Sequence, residues 1–422
     1  MVTSATQVHL FHRSLCNEHL EEGAFAWTAR ERAVGPSSLA LKQIGDLDSA
    51  VVAHIDGLRV AGYSTWADCS AVVTPEESGE LFMAGVLAIE AQSPGRLETW
   101  LSLFDQCATL STGARSAFGW VSAQFLTGIV KQLLDSSSPR RRALGLACCV
   151  MHRADPGTRL DEMMNDPDQD VLIMALRAAG ELGRYDLLSA CERHLDDEDA
   201  FRRLAAATAA VLLGNREAAL DSLHAGCRTC SPEFATRALL LQALRLSDAH
   251  AMLQEMSADP EKRWQLIQGS GIVGDPAYVP WLIAHMRARE TARVAGEALC
   301  LVTGAQLAPN YLHRGAPAPE PVQPDDEGDL VVAMDPDDGL PWPDVEKVEQ
   351  WWGANEGRFQ KGVRHFMGVP VGRQACIDTL RTGYQRQRIL AAHYLCLLEP
   401  GTRLFNTSAP AWRQQRLLAN MT

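Results

Sequence analysis

His224, Cys227 and Cys230 stand three residues apart, and imidazole and thiolate are the groups zinc prefers. On one helix they would face the same side. A closed zinc site needs four ligands, and no second Cys-x-x-Cys supplies the rest. The expectation is helix packing, with no metal and no cofactor. His9 and His12 are a weaker version of the same pattern. Gly269-Ser270-Gly271 lacks the flanks of a Gly-x-Ser-x-Gly nucleophile elbow and reads as a turn between helices. Asp335, Asp337 and Asp338 open like a calcium loop, but the required glycine and closing glutamate are not in place. Arg140, Arg141 and Arg142 form a basic run at a helix start, read as a solvated face. Glycine-rich phosphate loops are absent. These residues do not assemble into an enzyme, and catalytic residues are expected to be none.

Recognition is better represented. Arg177, Arg202 and Arg203 fall in the first helices of neighbouring repeat units, where they could form a polar ladder. Trp342, Trp351, Trp352 and Trp412 cluster near the C-terminus with Tyr384, Arg386 and Arg388. Tryptophan, tyrosine and arginine are the residues that dominate interface hot spots. The expected partner-binding set is therefore Arg177, Arg202, Arg203, Trp351, Trp352, Tyr384, Arg386, Arg388 and Trp412. Packing inside the C-terminal module is the competing role, and the one expected of most of the tryptophans.

The elements that must position these residues follow from a repeat. Asp155, Asp186, Glu217 and Asp248 recur at a step of 31 residues, as do Leu182, Leu213 and Leu244. Gly183 follows Leu182 as Gly214 follows Leu213, and Ala147, Ala178 and Ala209 keep the same step. Asp166 and Asp197 are also 31 apart, and the phase slips by Gly274 and Gly304. Each unit reads as two helices. Asp166-Pro167-Asp168 starts the first, Val171, Ala175, Ala178, Ala179 and Leu182 give it an apolar stripe, and Gly183 ends it. Asp186 opens the second, with Leu187, Leu188, Cys191 and Leu195 inward. A pair of this size buries its open face only against the next pair, which makes the array all-α and cooperative.

Earlier, degenerate units are expected between Thr74 and Asp135, with Trp120, Phe125, Ile129 and Leu133 on one helix; Asp46 to Leu58 reads as another. From Ala316 to Asp344 the chain carries seven prolines and nine acidic residues without a lysine or arginine, which predicts an extended, protease-sensitive linker. Asp329 to Met334 could add a short strand within it. Helical sequence then returns. The expected organisation is an N-terminal helical cap (1–73), a HEAT-like repeat array (74–310), an acidic Pro-rich linker (311–344) and a helical C-terminal module (345–422).

Composition narrows the partner. A net charge of −13 in 422 residues repels phosphate backbones and anionic lipid, so no nucleic acid and no membrane are expected. Met1 to Leu20 has no unbroken apolar stretch of the secretory kind, and the longest apolar runs fall well short of the roughly 20 residues of a membrane span. Eleven cysteines, odd in number and irregular in spacing, fit free thiols in a reducing cytoplasm.

The array resembles HEAT-like repeats, including the short type of bilin lyases, through Asp166-Pro167, Val171, Ala178-Ala179 and Leu182-Gly183. It departs from them where arginine often follows the valine, since Leu172 stands there; Arg202 and Arg203 partly restore the pattern one unit on. A second resemblance runs from about His54 to Arg413. It rests on His54-Ile55-Asp56-Gly57-Leu58, Leu340-Pro341-Trp342-Pro343, Trp351-Trp352, Gly357-Arg358-Phe359, Thr382-Gly383-Tyr384-Gln385-Arg386-Gln387-Arg388, Leu404-Phe405-Asn406 and Ala409-Pro410-Ala411-Trp412-Arg413. Together these resemble a family of proteobacterial HEAT-like proteins of unassigned biochemistry, which implies a bacterial protein and a gene neighbourhood of type VI secretion. The expected function is binding another protein, a secreted effector or secretion component, as an adaptor, chaperone or immunity-type partner. A HEAT-type enzyme acting on a chromophore or nucleic acid, and a structural scaffold, are the alternatives.

Overall fold

The computed structural model describes residues 3–61, 78–106, 111–318 and 335–421, with side chains from residue 14 onward in the first helix. The fold is all-α and built from helical repeats. In chain order the helices are α1 (Thr3–Ala33), α2 (Leu41–Ala61), α3 (Ser78–Glu90), α4 (Pro94–Gln106), α5 (Ser111–Trp120), α6 (Ile129–Leu134), α7 (Pro139–His152), α8 (Thr158–Met163), α9 (Gln169–Glu181), α10 (Leu188–Glu192), α11 (Ala200–Leu212) and α12 (Ala218–Thr229). They continue as α13 (Phe234–Ala243), α14 (Leu246–Met256), α15 (Arg263–Val273), α16 (Val279–His285), α17 (Ala292–Thr303), α18 (Val345–Asn355), α19 (Arg373–Thr382), α20 (Gln385–Leu398) and α21 (Ala411–Ala419). Two short antiparallel pairs interrupt them: β1 (His313–Arg314) with β2 (Trp342–Pro343), and β3 (His365–Phe366) with β4 (Val369–Pro370). Among the described residues no helix is long and apolar enough to cross a membrane.

Two compact units result: Met1–Pro232 with Leu395–Met421, and Glu233–Tyr394. Residues 395–421 of the stretch read from sequence as a C-terminal module thus pack with the first repeats.

In the first unit the 31-residue step has a direct structural meaning. The Asp168 carboxylate accepts from the amides of Asp170 and Val171 at the start of α9, and Asp199 does the same for Phe201 and Arg202 at the start of α11. One residue pair earlier, Asp166 and Asp197 each accept an amide, from Asp168 and Asp199, at 2.9 Å. At the far ends, the Arg184 amide reaches back to Ala179 O (3.0 Å) and the Asn215 amide to Ala210 O (2.9 Å). These are Schellman closures, and they need a left-handed residue, supplied by Gly183 (φ +68) and Gly214 (φ +109). The end of α7 closes in the same way around Arg153 (φ +53), where no glycine stands.

The helix ends of this unit are then covered by its own C-terminal segment. The Leu404 amide donates to Glu181 O (2.9 Å) and Asn406 Nδ2 to Met151 O (2.9 Å). Arg413 donates to Gly119 O and Val121 O, both at 2.8 Å. Asp48 Oδ2 accepts the Ala411 amide at 2.6 Å. The last carbonyls of a helix have no partner within it, and residues 404–413 provide one at α9, α7 and α5 in turn. A Cβ on Gly183 would sit 2.2 Å from Gly401 O, so that glycine is required by packing as well as by φ. Deeper in, Trp27 stacks on Phe82 (5.3 Å between centroids), and Trp120 meets Phe82 edge-on at 5.5 Å.

The second unit covers its helix ends differently. The β3–β4 hairpin donates from the His365 amide to Gly274 O (2.7 Å) and from the Met367 amide to Leu301 O (2.7 Å), at the ends of α15 and α17. Its core gathers Ile267, Val279, Leu282, Leu299, Val348, Trp352 and Phe359.

Several sequence expectations change. Trp120, Phe125, Ile129 and Leu133 do not share a helix. Trp120 ends α5, Phe125 lies in a 3-10 turn (Ala123–Leu126), and Gly128 at φ +82 separates that turn from α6. The second helix after Gly183 is only a 3-10 turn and five residues of α10. Gly269-Ser270-Gly271 is not a turn. It lies inside α15, where Ser270 Oγ donates to Leu266 O (2.8 Å) and a Cβ on Gly271 would stand 2.6 Å from Ala298 Cα, so the stretch serves a close helix crossing. The Arg140–Arg142 run is not a free solvated face. Arg140 donates to Phe104 O (2.7 Å), Arg141 pairs with Glu98 and Asp105 (both 2.8 Å), and Arg142 grips Asp166 with two nitrogens at 2.9 and 3.0 Å. Of the acidic linker, residues 319–334 lie outside the described residues, the suggested strand at Asp329 to Met334 included. Residues 335–344 are packed against the second unit, with Asp337 and Leu340 buried.

Candidate interaction site

The nine residues expected to bind a partner occupy very different environments. Arg177 is 57 % exposed and pairs with Glu181 on its own helix. Arg202 holds Asp197, Nη2 to Oδ1 at 2.7 Å, and this hydrogen-bonded guanidinium, against some burial, keeps the Asp197 carboxyl well below the usual range. Arg203 donates to the carbonyls of Asp197 and Glu198. The three do not form a ladder. In the 31-residue register Arg177 corresponds to Thr208, about one and a half turns from Arg202 and Arg203.

In the second unit, Trp352 is buried and stacks on Phe359 at 5.4 Å, and Trp351 packs half-buried beside it. Arg388 is wholly buried; its Nε donates to Leu380 O (2.9 Å), and burial pushes its pKa down to about 10. Arg386 Nε lies 2.8 Å from Glu297 Oε1, with both side chains interior. Tyr384 stands beside Glu297; burial and that neighbouring charge push its phenol well up. Trp352, Arg386 and Arg388 are covered by the chain's own packing, Arg386 in part by the turn at Asp335–Asp338. Trp412, on α21 of the first unit, is 43 % exposed, with the guanidinium groups of Arg413 and Arg416 at 5.0 and 5.5 Å from its ring.

Two buried polar clusters emerge that the sequence did not single out. In the first unit Glu181 is held by Arg177 and by Arg153 (Nη1 to Oε2, 2.8 Å). Burial pushes its carboxyl up, but the two guanidinium charges outweigh this and hold it down at about 2. Arg153 also donates from Nε to Leu404 O at 2.5 Å, so the cluster clamps the C-terminal segment. In the second unit Glu297 has one guanidinium, that of Arg386, and the neighbouring Tyr384 hydroxyl, while Asp337 adds a like charge nearby; burial wins and its carboxyl is pushed up. Over this pair sits the turn at Asp335–Asp338. Asp335 Oδ2 meets Arg293 Nη2 at 2.5 Å, Asp337 Oδ1 accepts Trp264 Nε1 at 3.0 Å, and Pro336 O accepts Arg386 Nη1 at 3.1 Å.

The thiols of Cys191, Cys300, Cys376 and Cys396 are pushed up to about 12 by burial and stay protonated. Among the described residues no three His, Cys, Asp or Glu side chains gather to hold a metal, His224, Cys227 and Cys230 included.

Residues 158–245 match a family model described as HEAT repeats. The repeats are HEAT-like. No curated protein and no solved structure matches the chain. The matched stretch runs from α8 to the end of α13 and contains the capped helices α9 and α11 that carry the 31-residue step. HEAT-like repeats supply a helical scaffold of the kind that serves protein interaction. Of the residues in the C-terminal sequence motifs, Gln385 to Arg388 and Arg413 are buried, and Asn406 ties down a helix end.

Proposed function

We propose that this chain is a scaffold of HEAT-like repeats that binds another protein. The observation that carries the reading is the match of residues 158–245 to HEAT repeats together with the capped helices α9 and α11 of the first unit, where Arg177, Tyr185 and Phe201 lie at the surface. Exposed arginine and aromatic side chains on a rigid helical frame are suited to anchoring a partner. The finer reading is an adaptor, chaperone or immunity-type partner of a secreted effector or secretion component in a type VI system, acting in the cytoplasm. Its support is the sequence resemblance from His54 to Arg413.

The test is capture from the native host with the full chain and with the Tyr185→Ala, Phe201→Ala double variant, followed by cross-linking mass spectrometry. A secretion protein recovered by the first, lost by the second and cross-linked near α9 to α11 is the expected result. Recovery of a pigment or nucleic acid in place of protein would favour the enzyme alternatives. An unchanged protein set with both forms would overturn the surface assignment.

A further inference from the structure

We infer that Asp335–Asp338 is a built-in occupant of an acidic-peptide site on the second unit, and that a partner's acidic segment takes the same place. This rests on the protein-binding reading above and says which chemistry the partner presents.

The site is basic and aromatic. Arg293 lies with its guanidinium 4.8 Å from the centre of the Trp342 ring, Trp264 offers an indole N–H, and Arg386 offers Nη1. The chain's own Asp-Pro-Asp fills it with two carboxylates and two carbonyls. Asp335 Oδ2 takes Arg293 Nη2, Asp337 O takes Arg293 Nη1 at 3.1 Å, Asp337 Oδ1 takes the Trp264 indole, and Pro336 O takes Arg386. Any acidic peptide in extended or turn form carries these groups, so the contacts define a class of ligand.

The fit is incomplete in two ways. Arg293 Nε is buried without a hydrogen-bond partner among the described residues, because Asp335 meets the guanidinium end-on at Nη2. A carboxylate placed side-on would engage Nε and Nη2 together, the stronger arrangement. In addition, Asp337 is buried in the neighbourhood of Glu297, and burial pushes its carboxyl up in spite of the indole and the nearby arginines. The occupant is therefore held below the affinity the groove can reach. What keeps it seated is its tether. The segment continues into β2, which pairs with β1 (His313↔Pro343), and a tethered ligand has a high effective concentration. A partner must outcompete it.

The probe is a fluorescent peptide with the chain's own sequence from Asp335 to Asp344, and its control carries Asn for every Asp. Both are titrated against the full chain by anisotropy at low salt. The wild type is expected to bind the acidic peptide weakly. The Asp335→Asn/Asp337→Asn variant is expected to bind it at least about tenfold more tightly, a gain of ~1.4 kcal/mol. That gain should disappear with Arg293→Met in the same background, weaken with salt, and be absent for the Asn peptide. Asp335 is half-exposed, so Asp335→Asn alone, checked for an unchanged melting temperature, gives a smaller gain in a chain whose fold is not in question. Equal affinity of the wild type and both variants, or equal binding of the Asn peptide, overturns the inference. Should that happen while the native partner is still captured, the protein-binding reading survives; loss of both removes both.

Discussion

Glu181 and Glu297 both lie buried on the first helix of a repeat pair, one in each unit, and both face arginine. Their carboxyls move in opposite directions, to about 2 for Glu181 and upward for Glu297. Burial is the largest influence on each and raises both. What differs is the number of charges that answer it. Two guanidinium groups surround Glu181, whereas Glu297 has one and shares its surroundings with Asp337. Here one opposite charge does not offset the burial of Glu297, whereas two offset that of Glu181. The first cluster is thus a clamp on the C-terminal segment, and the second a site that would accept further positive charge or a proton.

The largest expected effect follows from removing the single countercharge. Arg386→Met leaves Glu297 buried without a countercharge, which should cost roughly 3–5 kcal/mol in urea unfolding at pH 8. The cost should shrink as pH falls and Glu297 takes up a proton. Arg153→Met leaves Arg177 in place and should cost less, about 1–3 kcal/mol. Equal losses for the two variants would erase the distinction between the clusters.

Next in size is Gly183→Ala, which places a side chain at φ +68 and against Gly401 O. Backbone strain of this kind costs about 1–3 kcal/mol. Hydrogen exchange should rise in residues 400–406 and stay unchanged in 365–370; uniform exchange throughout would show that the segment is not held at that point.

The pH dependence should separate the units. Glu181, with its folded value below the ordinary 4.5, contributes stability that is full above that value and fades as pH falls toward about 2. Glu297, with a raised folded value, favours folding most at low pH and loses that contribution as pH rises from 4.5 through its folded value. Segment-resolved hydrogen exchange should show α9 loosening in acid and α17 loosening as pH rises above 4.5. Parallel behaviour of both would contradict the charge count. The smallest effect belongs to Trp412→Ala, about 1 kcal/mol, because the ring is partly exposed and is held from outside by Arg413 and Arg416.

The repeat was legible because its parts are local. Asp166 and Asp168 turn and cap α9 within four residues, and Gly183 closes it within five, so their types and spacing carry the geometry. The interaction site was less so. Arg386 and Arg388 were visible as a basic pair beside Tyr384, but nothing in the string Tyr384 to Arg388 says that both arginines point inward. Arg386 is buried because Glu297, some ninety residues earlier, lies 2.8 Å away. Arg153 was not legible either, since the 31-residue step puts His152 at the glycine position, and only the structure shows Arg153 taking the left-handed place at the end of α7. Arg293 and Trp264 carried no signal at all; they matter only because Asp335 and Asp337 come to rest on them.

By itself, then, the sequence determined the helix pairs, their period and their caps, since each depends on groups a few residues apart that must pair as soon as a helix forms. Only the tertiary structure decided which arginines are interior and which are at the surface, and what closes the ends of the helices. Those outcomes depend on where distant segments settle: residues 404–413 against α5, α7 and α9, the hairpin at 365–370 against α15 and α17, and the Asp335–Asp338 turn against Arg293. A buried charge or an open helix carbonyl accepts whichever donor packing brings to it, and that choice is made in space.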